Sequence, residues 1–314
     1  MAEERCDVVI VGGGPGGLAC GLYSARAGLK TVLLEEMGCG GQTMFLDRIS
    51  NYPGLPDVTG FELADVFQKQ AESFGCTVVY EGAVSITKGS DGLFAVATAS
   101  NVYRCPAVVL ATGCKHKALG VPGEKEYSGH GVSYCATCDG AFFKGKPMLV
   151  CGGSERTMME ALYLSKLTNR VVVCHNRSEF AATKATMDAL EATGHVAFRL
   201  NTEISSINGT DGKVSGVSFT DKTTGRQYTE DFAAVFVFVG NVPQTWLVPD
   251  VSVDSQGFIK TDVDMMTSVQ GLYAVGDVRD TPFRQVVTAA SDGAVAAHAA
   301  GLYIGRLKRA AKGV

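Results

Sequence analysis

Two thiols stand three positions apart at Cys135 and Cys138, inside the run Tyr134-Cys135-Ala136-Thr137-Cys138-Asp139-Gly140. That spacing brings both sulfurs within disulfide reach over one helical turn. In an intracellular chain beside a βαβ unit, such a pair reads as an exchangeable disulfide and not as a structural staple. A helix start lowers the pKa of the first thiol, which makes Cys135 the natural attacking thiolate. Asp139 follows at once and can carry a proton to or from the pair as it opens. The competing reading is half of a four-ligand zinc site. Neither a second Cys-x-x-Cys nor a His-x-x-x-His occurs in the chain, so no metal is expected.

The elements that must position this pair are those of a nucleotide-binding α/β chain. Cys6 to Val11 reads as a buried strand running into Gly12-Gly13-Gly14-Pro15-Gly16-Gly17 and then a helix through Leu18, Leu22 and Ala25. Gly28 ends the helix, and Thr31 to Leu34 is a second strand closed by Glu35. This is the dinucleotide fingerprint in its full context. Gly12 permits the tight turn, Gly14 lets the backbone approach a pyrophosphate, and Gly17 lets helix and strand pack closely. The helix start, with Pro15 next to it, offers N–H groups and positive potential to phosphates. Glu35, 18 residues beyond Gly17, can accept from a ribose diol.

The plan then repeats. Met148 to Cys151 is a strand, Gly152-Gly153-Ser154-Glu155-Arg156-Thr157 a turn, Met158 to Lys166 a helix, and Arg170 to Cys174 a strand ending at His175. Gly12 to Glu35 and Gly152 to His175 both span 23 residues, so one βαβ unit occurs twice. The second copy has lost its middle glycine to Ser154, its helix-packing glycine to Thr157 and its ribose acid to His175. Ala107 to Gly113 and Ala234 to Gly240 read as the closing strands of the two units. Gly271 to Asp277 is a buried strand delivering an acid to a turn, followed by a small-residue helix through Ala289, Ala290, Gly293 and Ala296. Small residues there allow close approach either to a cofactor or to another helix.

Composition sets the outer bounds. A chain of 314 residues holds about two domains. Its net charge of −4 gives no reason to expect nucleic acid or an anionic membrane as partner. Phe232 to Val239, among the longest apolar runs, is far too short to span a bilayer. The acidic start Met1-Ala2-Glu3-Glu4-Arg5 has no signal-peptide core. The expectation is a cytoplasmic protein, where a disulfide is more often catalytic than structural, with the scattered cysteines such as Cys6, Cys20, Cys151 and Cys174 as buried thiols.

Taken together, these motifs resemble the low-molecular-weight thioredoxin reductases over essentially the whole chain. The parts that carry the resemblance occur in the family's order: the first glycine turn, Gly40-Gly41-Gln42, Asn51-Tyr52-Pro53-Gly54, Ala111-Thr112-Gly113, Cys135 to Gly140, Gly276-Asp277, and Arg284-Gln285-Val286-Val287-Thr288-Ala289-Ala290. The resemblance implies two Rossmann-like domains, the second inserted into the first. An FAD-binding domain would comprise residues 1–117 and 246–314, and a nicotinamide-type domain with the cysteines residues 118–245. It further implies a homodimer that reduces thioredoxin. Cys138 would lie against the flavin, Cys135 would attack thioredoxin, Asp139 would serve as acid–base, and domain rotation would present the pair to each in turn. FAD contacts would fall on Gly12, Gly14, Pro15, Gly17, Glu35, Gly41, Gln42, Asn51, Ala111, Thr112, Gly113, Gly276, Asp277, Arg284, Gln285 and Val286.

The donor side departs from the pattern. NADPH-using relatives resemble Gly-x-Gly-x-x-Ala followed by His-Arg-Arg and another Arg four residues on. Here the second stretch is His175-Asn176-Arg177-Ser178-Glu179-Phe180-Ala181, which keeps one of the three arginines. Gly152, Gly153, Arg156 and Arg177 are what remains for a donor nucleotide. Glu155 stands at the helix start, where its carboxylate is expected to satisfy the positive end and repel phosphate. The donor is therefore open between NADPH, NADH and a protein such as ferredoxin. The reading of another class is a flavin-bound redox sensor without turnover.

Overall fold

A computed structural model of the chain describes residues 2–46 and 48–312. The chain divides into two compact units. One joins the residues up to Lys115 with those from Val242 onward, and the other is the inserted segment His116–Asn241.

The discontinuous unit is built on a five-stranded parallel sheet. Its order is Leu272–Ala274, Ala107–Leu110, Val8–Val11, Thr31–Leu34, Thr77–Val79. The four residues of Val8–Val11, Thr31–Leu34 and Ala107–Leu110 are all buried. Strands covered on both faces need apolar side chains at every position rather than at alternate ones, which explains these short unbroken runs. On one face, helices Pro15–Arg26 and Val286–Lys312 supply Leu18, Cys20, Ala296, Ala300 and Ile304 to the core. On the other, Phe94, Val96 and Tyr103 of a four-stranded sheet close against Val9, Val32 and Val108. The acidic segment Ala2–Arg5 is itself a strand of that second sheet, parallel to Asn101–Cys105. Its sequence reads only as a lead-in, because an exposed edge strand needs no apolar alternation.

The inserted unit has the same construction. Val132–Ser133, Ala234–Val237, Met148–Cys151, Val171–Cys174 and Val196–Arg199 lie in that order in a parallel sheet. A three-stranded antiparallel sheet, Thr202–Thr210, Lys213–Asp221 and Gln227–Glu230, covers one face through Ile207, Val217 and Phe219. In each unit the central strand is the one that precedes the glycine turn, so each turn sits at the carboxyl end of a sheet where the strand order reverses. The small-residue helix resolves in favour of helix packing. A Cβ on Gly293 would fall 2.1 Å from Gly16 O, and one on Gly16 would fall 3.1 Å from Ala289 O, so the two helices meet backbone to backbone. Among the described residues, no helix is long and apolar enough to cross a membrane.

Candidate active site

Cys135 and Cys138 are joined as a disulfide, with their Cα atoms 5.3 Å apart. Cys135 is the N-cap of the one-turn helix Ala136–Asp139, and its Sγ accepts the Cys138 N–H at 3.2 Å. The helix leaves strand Val132–Ser133 at once, so the sheet edge fixes where the pair begins. Ser133 makes that junction rigid: its buried Oγ accepts the Cys135 N–H at 3.1 Å and donates to Asp139 Oδ2 at 2.5 Å. A hydrogen bond to a carboxylate is about twice as strong as a neutral one, so Asp139 is held beside the pair by a named partner. Sequence reasoning missed Ser133. Its only signal was a hydroxyl two positions before the first cysteine. Tyr134, between them, donates to Glu124 Oε1 at 3.0 Å and stacks on His116 with ring centroids 5.0 Å apart. Burial first, and then Glu124, raise its phenol well above the usual value.

The other eight cysteines are all buried and outside any disulfide. Burial pushes the thiols of Cys20, Cys39, Cys76 and Cys174 up to about 12. Such thiols stay protonated at neutral pH and do not compete with the pair.

The first glycine turn has the geometry its sequence announces. Gly12 has φ +106°, and a Cβ there would meet Ala111 O at 2.4 Å. A Cβ on Gly17 would fall 1.9 Å from Gly12 O, the close helix–strand contact expected of it. Gly14 is the N-cap of helix Pro15–Arg26, Pro15 opens the helix, and no side chain caps it. Glu35 lies beside the turn and accepts Gly13 N–H at 2.7 Å and Met37 N–H at 3.0 Å. Each carboxylate oxygen keeps acceptor capacity for a further donor.

The remaining positions of this unit gather around the same turn or tie its loops together. Gly40 N donates to Gly13 O at 2.7 Å, and a Cβ on Gly41 would stand 3.3 Å from Gly14 Cα. Gln42 donates to the Cys114 carbonyl, Thr112 Oγ1 to Gln244 O at 2.7 Å, and Gly113 has φ +67°. Asn51 donates to Gln285 Oε1 at 3.0 Å, which joins two distant motifs of the sequence. The Arg284 guanidinium lies 4.1 Å from the Phe258 ring centroid, and Val286 opens the last helix, half-buried. Cys114 Sγ donates to Asp277 Oδ2 at 3.9 Å. Gly276 N donates to Asp292 Oδ2 at 3.1 Å, and the same oxygen accepts from Arg279 Nη1 at 3.1 Å. Asp292 was not singled out in the sequence. An acid between Ala289 and Gly293 on a small-residue helix was the available signal.

A family model described as pyridine nucleotide-disulphide oxidoreductase matches residues 6–293. A thioredoxin reductase from Treponema pallidum is 45% identical over 307 residues, covering 98% of this chain and 99% of that protein. One from Bacillus subtilis is 35% identical over 314 residues, covering 99% of each. The solved thioredoxin reductase of Streptococcus pyogenes superimposes with a TM-score of 0.90 at 38% identity, covering 96% of this chain and 99% of that one.

The chain belongs to the pyridine nucleotide-disulphide oxidoreductase family.

Within the family it falls among the low-molecular-weight thioredoxin reductases, as the order of its motifs implies. The second glycine turn belongs to the inserted unit. Gly152 has φ +143° and Gly153 follows it, so the turn itself is kept. Glu155 opens its own helix, but its carboxylate is bound elsewhere. Its carboxylate reaches the next helix, accepting Thr183 N–H at 2.5 Å and Thr183 Oγ1 at 3.2 Å, with a further short bond from Thr186 Oγ1. The expectation that it caps its own helix is thus corrected: the start of helix Lys184–Ala192, with N-cap Thr183, offers it three donors at once. Arg156 is exposed, with its Nε 3.8 Å from Glu160 Oε1, and Arg177 is also exposed.

Proposed function

We propose that this chain is an FAD-dependent thioredoxin reductase in which Cys135 and Cys138 carry electrons to the thioredoxin disulfide. The observation that carries the reading is the Cys135–Cys138 disulfide at a helix start, with Asp139 held beside it by Ser133. The discontinuous unit suits FAD. Its first helix start is uncapped, nothing lies within 4 Å of a Gly14 Cβ, and Glu35 lies beside the turn, which supports a pyrophosphate at the helix start and a ribose diol on Glu35. Gly12, Gly14, Pro15, Gly17, Glu35, Gly41, Gln42, Asn51, Ala111 to Gly113, Gly276, Asp277 and Arg284 to Val286 are the residues put forward to hold it. A bound flavin supplies a two-electron reductant for the disulfide.

The chain's own residues then do exchange chemistry. The Cys135 thiolate attacks one sulfur of the substrate disulfide. A mixed disulfide forms as the substrate S–S bond breaks, and the departing sulfur leaves with the electron pair and takes up a proton. The Cys138 thiolate next attacks Cys135 Sγ, re-forming the Cys135–Cys138 bond and releasing the second substrate thiol. The pair loses two electrons and the substrate gains two. We assign to Asp139 the movement of the proton between Cys138 and the departing sulfur, a role supported by the Ser133 bond that holds its Oδ2. Cys138 is assigned to the flavin side and Cys135 to the thioredoxin side. A homodimer and a cytoplasmic location belong to the same reading, since dithiol exchange of this kind works in a reducing compartment.

The test is thioredoxin reduction by the purified protein after anaerobic dithionite treatment. Cys135→Ser should keep a reducible flavin and trap no mixed disulfide. Cys138→Ser should trap one that does not resolve. Turnover surviving both substitutions would place the chemistry elsewhere. Reduced ferredoxin is the alternative donor, and whether it or a pyridine nucleotide bleaches the flavin separates the two donor classes.

A further inference from the structure

The two glycine turns share one backbone plan and differ at their mouths. At the first, the N-cap is Gly14, no side chain caps the helix, the first helical turn carries no acid, and nothing lies within 4 Å of where a Gly14 Cβ would stand. At the second, the N-cap is Ser154. Its Oγ accepts the Thr157 N–H at 3.3 Å, and Thr157 Oγ1 accepts the Ser154 N–H at 3.3 Å. These are donors that a helix start otherwise turns toward a phosphate. Thr157 Oγ1 also donates to Phe238 O at 3.3 Å, which ties the cap to the neighbouring strand end.

The surroundings act the same way. A Cβ on Gly153 would lie 2.4 Å from the His175 ring, so the space that a small residue opens here is filled by an imidazole. Burial, and then Arg177, hold that imidazole below its usual value, so it is neutral at pH 7 and gives a phosphate no charge. Glu155 stays ionised through its bonds from Thr186 and Thr183, leaving a negative charge next to the turn. The loop after His175 runs along the turn: Ala181 N donates to Gly153 O at 2.7 Å. A side chain at 181 therefore starts beside Gly153, and here it is a methyl group. The Asn176 carbonyl accepts from Lys222 Nζ at 3.3 Å.

A pyridine nucleotide therefore does not fit this turn as it fits the family pattern. We propose that the inserted unit is closed to both NADPH and NADH by its own side chains, with Ser154 and Thr157 consuming two of the helix-start donors and Asn176 and Ala181 withholding the 2′-phosphate cations. The proposal rests on the reductase reading only in using a flavin as the reporter.

Holoenzyme titrated anaerobically with NADPH and with NADH, followed at the flavin band, tests it. The wild type should need at least about a hundredfold more NADPH than a variant carrying Ser154→Gly, Thr157→Ala, Asn176→Arg and Ala181→Arg, because two charge-assisted phosphate contacts are worth roughly tenfold or more each. The wild type should also fail to discriminate between the two nucleotides, whereas the variant should prefer NADPH. Rapid bleaching of the wild type at micromolar NADPH would overturn the proposal. A yellow, dithionite-active variant no more responsive than the wild type would overturn the assignment to these four positions. If the fourfold variant does not fold, Ser154→Gly with Thr157→Ala should still raise NADPH affinity by calorimetry, and an unchanged affinity counts against the closure. Thioredoxin reduction after dithionite reports on the reductase reading by itself, so a failure there is distinguishable from a failure of the closure.

Discussion

Replacing Gly14 with valine separates folding from cofactor binding. Gly14 has φ −70° and ψ 178°, extended backbone open to any residue, and a Cβ there meets no atom of the protein within 4 Å. The backbone and the first side-chain carbon therefore accept the substitution. Restriction of the unfolded chain contributes about 0.4–1 kcal/mol of stability, which offsets the poorer helix capping of valine at this N-cap. Its whole cost falls on the ligand: the side chain fills the space through which a pyrophosphate must approach the helix start. Losing two charge-assisted bonds at about 1.5–3 kcal/mol each weakens FAD binding by roughly 10²–10⁴-fold. Gly17→Val is the contrast, because its Cβ would sit 1.9 Å from Gly12 O, a backbone atom that cannot yield. Flavin content per chain and thermal unfolding of the flavin-stripped proteins read out both variants. Gly14→Val should purify folded and colourless, and Gly17→Val should lose fold and colour together. A Gly14→Val protein that keeps full flavin would refute the placement of the pyrophosphate. One that is colourless but less stable than stripped wild type would make Gly14 a structural residue.

Other outcomes follow from the same geometry. Asp139→Asn should slow thioredoxin reduction by roughly 10²–10⁴-fold, the range of a positioned acid–base group, and Ser133→Ala by about tenfold through loss of one charge-assisted bond; near-normal turnover in the first would leave Asp139 with a structural role alone. Asp292→Ala leaves the mostly buried Arg279 without its carboxylate and Gly276 N–H without its acceptor, and breaking such a pair should cost about 3 kcal/mol, read as a lower urea midpoint at unchanged slope. Because burial raises the pKa values of Cys20, Cys39, Cys76 and Cys174, their thiols remain protonated at pH 8. All eight cysteines outside the pair are buried, so iodoacetamide should label only Cys135 and Cys138 in the reduced native protein, and peptide mapping that finds early label on Cys20 or Cys76 would contradict the burial argument.

What the sequence could convey followed from range. Gly12, Gly17 and the strand before them were legible because a turn that must accept positive φ and a close backbone approach admits almost no other residue. Unbroken runs such as Val8–Val11 announce strands covered on both faces. The Cys135–Cys138 spacing fixed the disulfide for the same local reason. What escaped were contacts whose partners are set by the tertiary fold. Glu155 was expected at its own helix start because adjacency in sequence suggests it, yet Thr183 and Thr186, 28 and 31 residues away, offer better donors. Asp292 acts on Gly276 from 16 residues away. Ser133 is near the pair, but a serine oxygen has too many local uses for its role to be read before the backbone direction is known.

The last strand and the last helix of the discontinuous unit have a consequence for how the chain is made. Strand Leu272–Ala274 adds the outer edge of the first sheet, and helix Val286–Lys312 covers the same face as Pro15–Arg26. During synthesis from the amino end, the inserted unit is complete once Asn241 has emerged. The amino-terminal 115 residues must then wait with one sheet edge and part of one face uncovered until the final helix arrives. Unpaired edges and uncovered apolar faces are what make incomplete chains associate. The unit begun first is thus the one completed last, and its wait spans the insertion and the stretch from Val242 to the final helix.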